Sequence, residues 1–287
     1  MRIISAKKIQ DTVAKLCIQA NLFLRSDCLR ALKQAYSEET NKRAKLILKA
    51  IIDNAAVARK EKIAICQDTG LPVVFLEIGQ DVKIAGDLKS AINKGVESGY
   101  LKGSLRDSII KDPILRGRAK YTPAVIHADM VKGDKLKLAV LPKGFGCENK
   151  SVLKMFRPTA EIKEIKKFIL EAVKNAGADA CPPFVIGVGI GGTADYASFL
   201  AKKALLKEIK GLSPKGTVPE LERKGTVPEL ERELLSEINK LHIGPMGLGG
   251  KTTALAVNIE TYPTHIAGLP VAVNISCHAL RSASKIL

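Results

Sequence analysis

Residues capable of chemistry cluster at several glycine-rich or polar junctions of this 287-residue sequence. These junctions are ICQDTG, PKGFGCEN, CPPFVIGVGIGGTAD, HIGPMGLGGKTT and YPTHIAGLPVAVNISCHALR. They combine thiols with carboxylate, amide, imidazole and guanidinium groups next to short apolar runs. Functional groups on loops held by a rigid sheet are the usual arrangement for a binding or catalytic site. The junctions are therefore candidate parts of one site.

The six cysteines are too few and too scattered for a secreted disulfide scaffold in a chain of this length. Such thiols indicate core packing, metal ligation or catalysis in a reducing compartment. Cys17 and Cys28 lie in helical periodicity without metal-ligand spacing, so we interpret them as small core hydrophobes.

The elements that must position these junctions predict an α+β fold, with mixed β-sheets flanked by helices and a helical N-terminal region. The predicted strands are KIAIC, LPVVFLEIG, AVIHADMV, KLKLAVLP, PFVIGVGI, TTALAVNIE and PVAVNIS. A helix is predicted over about residues 160–176. The whole chain, 1–287, is expected to form a single catalytic region or two lobes, about 1–150 and 151–287.

One nine-residue sequence, KGTVPELER, occurs twice in succession, at residues 215–223 and 224–232. Both copies contain a capping-box pattern, and the second runs into an amphipathic helix. Two copies cannot form a solenoid, so we interpret 215–232 as an insert that lengthens a surface helix, without chemistry.

The net charge of +17 permits a second class of function, a basic nucleic-acid-binding protein without enzymatic activity. The absence of Trp, the low aromatic content and the scattered basic residues argue against it. An acidic substrate or acidic partner subunit explains the charge equally well. No apolar run approaches the roughly 20 residues of a membrane helix, and no export signal is visible. We therefore expect a cytoplasmic protein that binds neither nucleic acid nor membranes.

Two glycine-rich motifs suggest nucleotide binding. Residues 187–192 match the dinucleotide fingerprint GxGxxG, which makes an NAD-dependent oxidoreductase a third hypothesis. However, the acidic residue and second strand that this fingerprint requires are missing. Residues 244–252 imitate a phosphate-binding loop, but their spacing is wrong and a strand follows instead of a helix. The sequence therefore argues against ATP or GTP binding there.

Taken in order, the junctions resemble class I fumarases and the related tartrate dehydratases over nearly the whole chain. This resemblance implies that Cys66, Cys181 and Cys277 hold a [4Fe-4S] cluster. Three thiolates leave one iron with an open position, which can act as a Lewis acid on the substrate. Cys147 stands where relatives usually have Ser, and is either a bystander or a competing ligand.

The same resemblance implies the other site residues. Asp68 and His265 are the expected catalytic residues, although Asp68 can also close an Asx turn and a lone histidine is often structural. Arg106 is expected to clamp a substrate carboxylate. The complete expected substrate-binding set is Gln67, Asp68, Arg106, Gly144, Gly146 and Asn149.

The resemblance implies an alpha subunit that reversibly hydrates fumarate to L-malate, with L-tartrate dehydration to oxaloacetate as the alternative. Fumarases of this kind use a second domain, which some members carry on a separate beta subunit. The chain is therefore expected to need such a beta subunit in a two-plus-two hetero-oligomer.

Overall fold

The computed structural model describes residues 1–210 and 227–287, and these form an α+β fold with mixed sheets, as predicted. The α-helices are Ala6–Leu22 (α1), Ser26–Glu38 (α2), Lys42–Glu61 (α3), Leu88–Lys102 (α4), Phe145–Glu148 (α5), Ile162–Ala176 (α6), Ala194–Ala204 (α7) and Val227–Asn239 (α8). The strands are Arg2–Ser5 (β1), Leu71–Gly79 (β2), Val82–Ala85 (β3), Ile109–Asp112 (β4), Arg116–Lys120 (β5), Val125–Val131 (β6), Leu136–Lys143 (β7), Val152–Phe156 (β8), Phe184–Gly192 (β9), Ala254–Thr264 (β10), Leu269–Ser276 (β11) and Ala283–Ile286 (β12).

The chain divides into two compact units, each assembled from separate segments. The first unit contains Met1–Arg25, Asn54–Phe145 and Arg281–Leu287, and the second contains Ser26–Asp53 and Gly146–Leu280. Among the helices of the described residues, none is both long enough and apolar enough to cross a membrane.

In the first unit, β2 lies between β7 and β6 in a four-stranded sheet of order β12-β7-β2-β6. It runs antiparallel to β7 and parallel to β6. The apolar sequence of β2 is almost entirely buried, as expected for a central strand. Helix α4 packs closely on α1, and Gly99 permits this contact. A Cβ atom on Gly99 would lie only 2.7 Å from the Ala14 carbonyl oxygen.

The second unit is built on a sheet of order β10-β9-β11-β8, in which β9 is parallel to β10 and antiparallel to β11. Gly187 and Gly189 lie inside β9 and not in a strand-to-helix turn. A Cβ atom on Gly189 would lie 2.0 Å from the Ala197 carbonyl oxygen of α7. These glycines therefore have a packing role, since they let α7 approach the sheet, and nucleotide binding is not needed to explain them.

Six of the predicted strands and the helix near 160–176 are confirmed, but KIAIC at residues 62–66 is not a strand. Helix α3 extends to Glu61, and Lys62 then adopts a left-handed conformation with φ 54°. The Ile65 amide donates to the Asn21 carbonyl oxygen at 3.0 Å instead of joining a sheet. Of the two isoleucines in this run, only Ile65 is buried, whereas Ile63 is 52% exposed. A short apolar run alone does not distinguish a strand from such a helix-terminating loop, which explains the error.

The duplicated insert at 215–232 falls largely outside the described residues. Its first copy and the first three residues of the second copy belong to the segment 211–226. The remainder of the second copy begins α8, whose residues Leu234, Leu235 and Ile238 are buried.

Replacing Gly189 with Ala is expected to destabilise the protein by at least about 2 kcal/mol, since the added methyl group overlaps the α7 backbone. Urea unfolding of the apoprotein would measure the change. Gly268→Ala is the matched control, because its Cβ would meet only Met155 Cε at 3.8 Å. Equal stability of both variants would contradict the close packing of α7 on β9.

Candidate active site

In the first unit, Asp68 fixes the shape of the loop that connects α3 to β2. Its carboxylate accepts backbone N–H groups from Gly70 through Oδ1, at 3.0 Å, and from Phe145 through Oδ2, at 2.8 Å. The Gly70 contact is an Asx turn, the structural role that the sequence also allows for Asp68. Hydrogen bonds to charged groups typically contribute about 1.5–3 kcal/mol each. The orientation of this half-buried carboxylate is therefore set by backbone on both sides of it.

Close backbone contacts surround the same loop. Gly70 has φ +74°, and a Cβ atom there would lie 2.7 Å from the Pro142 carbonyl carbon. A Cβ atom on Gly144 would lie 3.2 Å from Asp68 Oδ2. Glycine at these two positions lets the loop lie directly against the end of β7.

Tyr100 and Thr69 connect this loop to the segment that carries Arg106. The Tyr100 hydroxyl donates to the Thr69 carbonyl oxygen at 2.8 Å, and Thr69 Oγ1 donates to the Arg106 carbonyl oxygen at 3.0 Å. Burial raises the pKa of Tyr100, so its hydroxyl remains a donor. Arg106 itself is exposed, as is Gln67, so both side chains are accessible to a ligand. No sequence motif pointed to Tyr100.

In the second unit, the pairing of β9 with β11 brings Cys181 and Cys277 to one edge of the sheet. Cys181 precedes β9, Cys277 follows β11, and Val185 is paired with Ser276. The Cys181 carbonyl oxygen accepts the His278 backbone N–H at 3.3 Å and lies 3.0 Å from His278 Nδ1. Cys181 adopts a left-handed conformation with φ 55°.

Two further cysteines lie near this edge but are buried. Cys147 is 5% exposed, and its Sγ donates to the Ala180 carbonyl oxygen at 3.3 Å. Cys28 is fully buried, and its Sγ donates to the His278 carbonyl oxygen at 3.2 Å. Both contribute to the structure around the predicted ligands.

Exposure divides the six cysteines into two groups of three. The three predicted ligands are the half-exposed ones: Cys66, Cys181 and Cys277. The other three are buried: Cys17, Cys28 and Cys147. Burial also raises the pKa of the Cys17 thiol to about 12, so it remains protonated at neutral pH. Because the thiolate is the form that binds metal, Cys17 is unsuited to be a ligand.

A polar network that no motif revealed supports the turn containing Asn149. Glu148 forms an ion pair with Lys202 and accepts a hydrogen bond from Asn274 Nδ2 at 3.0 Å. The Asn274 amide also donates to Ser151 Oγ at 2.8 Å. The network ties the turn to α7 and β11, while Gly146 and Asn149 are exposed beside it. These partners are far apart in sequence, so only folding brings them together.

His265 lies at the opposite edge of this sheet from Cys181 and Cys277. It follows β10, whose last residue, Thr264, is paired with Gly192 at the far end of β9. A nine-residue strand with a rise of about 3.3 Å per residue separates the two edges by roughly 25 Å. His265 is exposed, and its Nδ1 accepts the Ala267 N–H at 3.2 Å in a turn. Within the second unit, the histidine is therefore remote from both cysteines.

The predicted residues are distributed between the units. Cys66, Gln67, Asp68, Arg106 and Gly144 belong to the first unit, and Gly146, Asn149, Cys181, His265 and Cys277 to the second. Across residues 1–210 and 227–287, no three or more His, Cys, Asp or Glu side chains are grouped to hold a single metal ion.

Comparison with known proteins identifies the family. The family profile described as "Fumarate hydratase (Fumerase)" matches residues 10–285. The chain belongs to this family. Fumarate hydratases are hydro-lyases, which add water to a carbon–carbon double bond or remove it.

Curated relatives align with nearly the whole chain. The chain is 41% identical over 285 residues to a protein of Methanocaldococcus jannaschii provisionally named as L(+)-tartrate dehydratase subunit alpha, with 97% of each chain covered. It is 28% identical to the L(+)-tartrate dehydratase subunit alpha of Escherichia coli O157:H7, covering 99% of this chain and 92% of the relative. The family predicted from the junction motifs is therefore confirmed.

The difference in cysteine exposure predicts the pattern of alkylation. In native, cluster-free protein, iodoacetamide is expected to modify Cys66, Cys181 and Cys277, because reagent can reach half-exposed thiols. The buried Cys17, Cys28 and Cys147 should react only after denaturation. Peptide mass mapping before and after unfolding would measure both groups. Fast native labelling of Cys147 would show that it is not held in the core.

Proposed function

We propose that this chain is the cluster-bearing alpha subunit of an iron–sulfur hydro-lyase that reversibly hydrates fumarate to L-malate. The proposal depends chiefly on the half-exposed set of cysteines in a member of the fumarate hydratase family. The family description supports fumarate as the substrate. The names of the relatives support L-tartrate as a second candidate, with dehydration giving oxaloacetate.

We propose Cys66, Cys181 and Cys277 as the ligands of a [4Fe-4S] cluster. Their chemistry fits, because thiolates are the usual cluster ligands and these three thiols are the ones not buried in the core. The common sheet edge of Cys181 and Cys277 supports two members of the set. A cluster spaces its ligands farther apart than a single ion does, which is compatible with finding no single-ion site among the described residues. When bound, the cluster would supply an open Lewis-acidic iron.

The proposed role of Asp68 is to hydrogen-bond the hydroxyl group that leaves as water. Two of the roughly four acceptor positions of a carboxylate are occupied by the Gly70 and Phe145 amides. The remaining positions can accept from a substrate, and the two amides prevent the carboxylate from rotating away. Such pre-orientation lowers the entropy cost of reaching the transition state.

The proposed substrate carboxylate sites use the exposed polar groups near these loops. Arg106 can present a planar, bidentate donor pair to a carboxylate, and its segment is held by Thr69. Gln67 and Asn149 supply amide donors, and Gly144 and Gly146 allow close approach to the backbone. Donors aimed at a carboxylate where negative charge develops stabilise the transition state of proton removal.

We further propose a beta subunit as partner, because the relatives are named as alpha subunits. The two-plus-two assembly remains our proposal for the complete enzyme. A reducing, cytoplasmic location also remains a proposal, and it suits a chain with six cysteines and an oxygen-sensitive cluster.

The function is tested by anaerobic reconstitution with iron and sulfide. The isolated chain is expected to bind the cluster, as measured by iron and sulfide content and visible absorption. The Ser variants of Cys66, Cys181 and Cys277 should lose it. Cys28→Ser is the matched control, because this buried thiol lies near the same sheet edge without being a predicted ligand.

The reconstituted chain is then assayed with L-malate and L-tartrate, alone and with its beta subunit. Turnover is expected only in the presence of the beta subunit, and with L-malate as the better substrate. Preferential turnover of L-tartrate would show that the enzyme is an L-tartrate dehydratase, the second candidate. A cluster-loaded complex inactive on both acids would contradict the proposed function.

The remote position of His265 gives a separate prediction. If His265 acts in catalysis beside Cys181 and Cys277, it must act on the site of a second copy of this chain. His265→Gln and Cys277→Ser enzymes are each expected to be inactive, whereas a co-assembled mixture should regain up to about a quarter of wild-type activity. That fraction assumes random pairing of two copies, in which one site of each mixed pair is intact.

Mixing before and after assembly provides the control, since only co-assembly can create mixed oligomers. If the two variants carry different affinity tags, the mixed oligomers can be isolated. Activity should then increase with the fraction of mixed oligomers. A fully active His265→Gln enzyme would instead show that this residue has no catalytic role.

A further inference from the structure

Arg281 is a buried arginine of the first unit that the predicted site does not use. Arg281 is only 3% exposed to solvent. Nη1 donates to Asn21 Oδ1 at 3.3 Å, which is a neutral acceptor. Nε is buried without a hydrogen-bond partner in the described part of the chain. A buried guanidinium is costly unless an opposite charge compensates it, so its surroundings must supply one.

The Asp68 carboxylate and Arg281 both lie close to the backbone of Gly144. The point that a Cβ atom on Gly144 would occupy lies 3.6 Å from Arg281 Nη2 and 3.2 Å from Asp68 Oδ2. Glycine thus places no side chain of its own against the two charged groups. The Tyr100 hydroxyl is influenced by both charges. Burial is the main cause of its raised pKa, the Arg281 charge lowers this pKa, and the Asp68 charge raises it.

A second buried cation, Lys143, lies at the same turn. It is 2% exposed, and its Nζ lies 3.4 Å from the Gly144 carbonyl oxygen. Lys143 is therefore the main rival to Arg281 as the electrostatic partner of Asp68, and the test must separate the two.

We propose that Arg281 is a positioning residue that acts through Asp68, as the buried counter-ion of its carboxylate. Arg281 is too buried to touch a substrate, whereas Asp68 is partly exposed. The positive charge of the guanidinium would favour the orientation in which the Asp68 carboxylate accepts the Phe145 amide. The catalytic part of this inference rests on the proposed function, but the charge pairing does not.

The charge pairing is tested by a double-mutant cycle on the thermal stability of the full-length, cluster-free chain. Arg281→Met and Asp68→Asn are each expected to lower Tm by about 5 °C, because each leaves one charge uncompensated. The double variant should lose clearly less than the combined shifts of the single variants. Arg281→Lys should retain most of the stability, since it keeps the charge.

Two further cycles serve as controls. Arg2→Met removes an exposed guanidinium of the same unit and should combine additively with Asp68→Asn. Lys143→Met should show weaker coupling to Asp68→Asn than Arg281→Met does. Additive shifts for Arg281 and Asp68, or stronger coupling to Lys143, would overturn the proposal.

If Arg281→Met does not fold, the effect of Asp68→Asn on Tm is measured in the Arg281→Lys variant instead. Asp68→Asn should then cost the same as in the wild-type chain, because the counter-charge is kept. A cost that disappears in this background would mean that the guanidinium shape, and not its charge, supports Asp68, and would overturn the proposal.

The catalytic consequence is measured on the reconstituted complex with its beta subunit. Arg281→Met is expected to reduce kcat by roughly 10–100-fold with a smaller change in KM, as for other residues that orient a catalytic group. Arg281→Lys should recover part of kcat, whereas equal kcat for wild type and Arg281→Met would refute positioning. An inactive wild-type complex would count against the proposed function alone, because the stability cycle needs no turnover.

Discussion

Antiparallel pairing of β9 with β11 is the constraint on which the arrangement of the second unit depends. It joins the start of β9 to the end of β11, so residues nearly one hundred positions apart meet at one sheet edge. The same pairing, with β10 parallel to β9, directs the β10–β11 turn to the other edge. Strand direction alone therefore brings Cys181 and Cys277 together and keeps His265 away from them. The glycines of β9 preserve this geometry, since they allow α7 to cover the sheet without displacing its strands.

In the first unit, the comparable constraint is the pair of backbone N–H groups that hydrogen-bond to the Asp68 carboxylate. Asp68 receives two amide hydrogen bonds that define the loop beside Cys66, and two glycines provide the space for this contact. The Asx-turn and catalytic interpretations of Asp68 are thus compatible, because a turn that uses part of the carboxylate also fixes the direction of the rest.

Thiol exposure links these local arrangements to the proposed chemistry. Four cysteines of the second unit lie close to one sheet edge, yet only Cys181 and Cys277 among them are half-exposed. Proximity alone would leave Cys28 and Cys147 as rival ligands. Burial in the core separates them from Cys181 and Cys277, because a buried side chain is less accessible to a bound group.

Sequence patterns predicted the fold class, the family and six of the twelve strands of the described residues. Strands β2 and β9 could be predicted because a strand buried on both faces has a continuous apolar sequence. The five junction motifs indicated the family without any structure. The strand predicted at residues 62–66 was wrong, since a short apolar run also fits a partly exposed loop that buries only Ile65. The sequence patterns also passed over the exposed strand β8, which has no burial pattern to reveal it. Folding was needed to show which thiols are accessible, that His265 lies at the far sheet edge, and that Arg281 and Asp68 both lie beside Gly144. These properties depend on strand direction and on contacts between residues distant in the chain, and local periodicity carries no information about either.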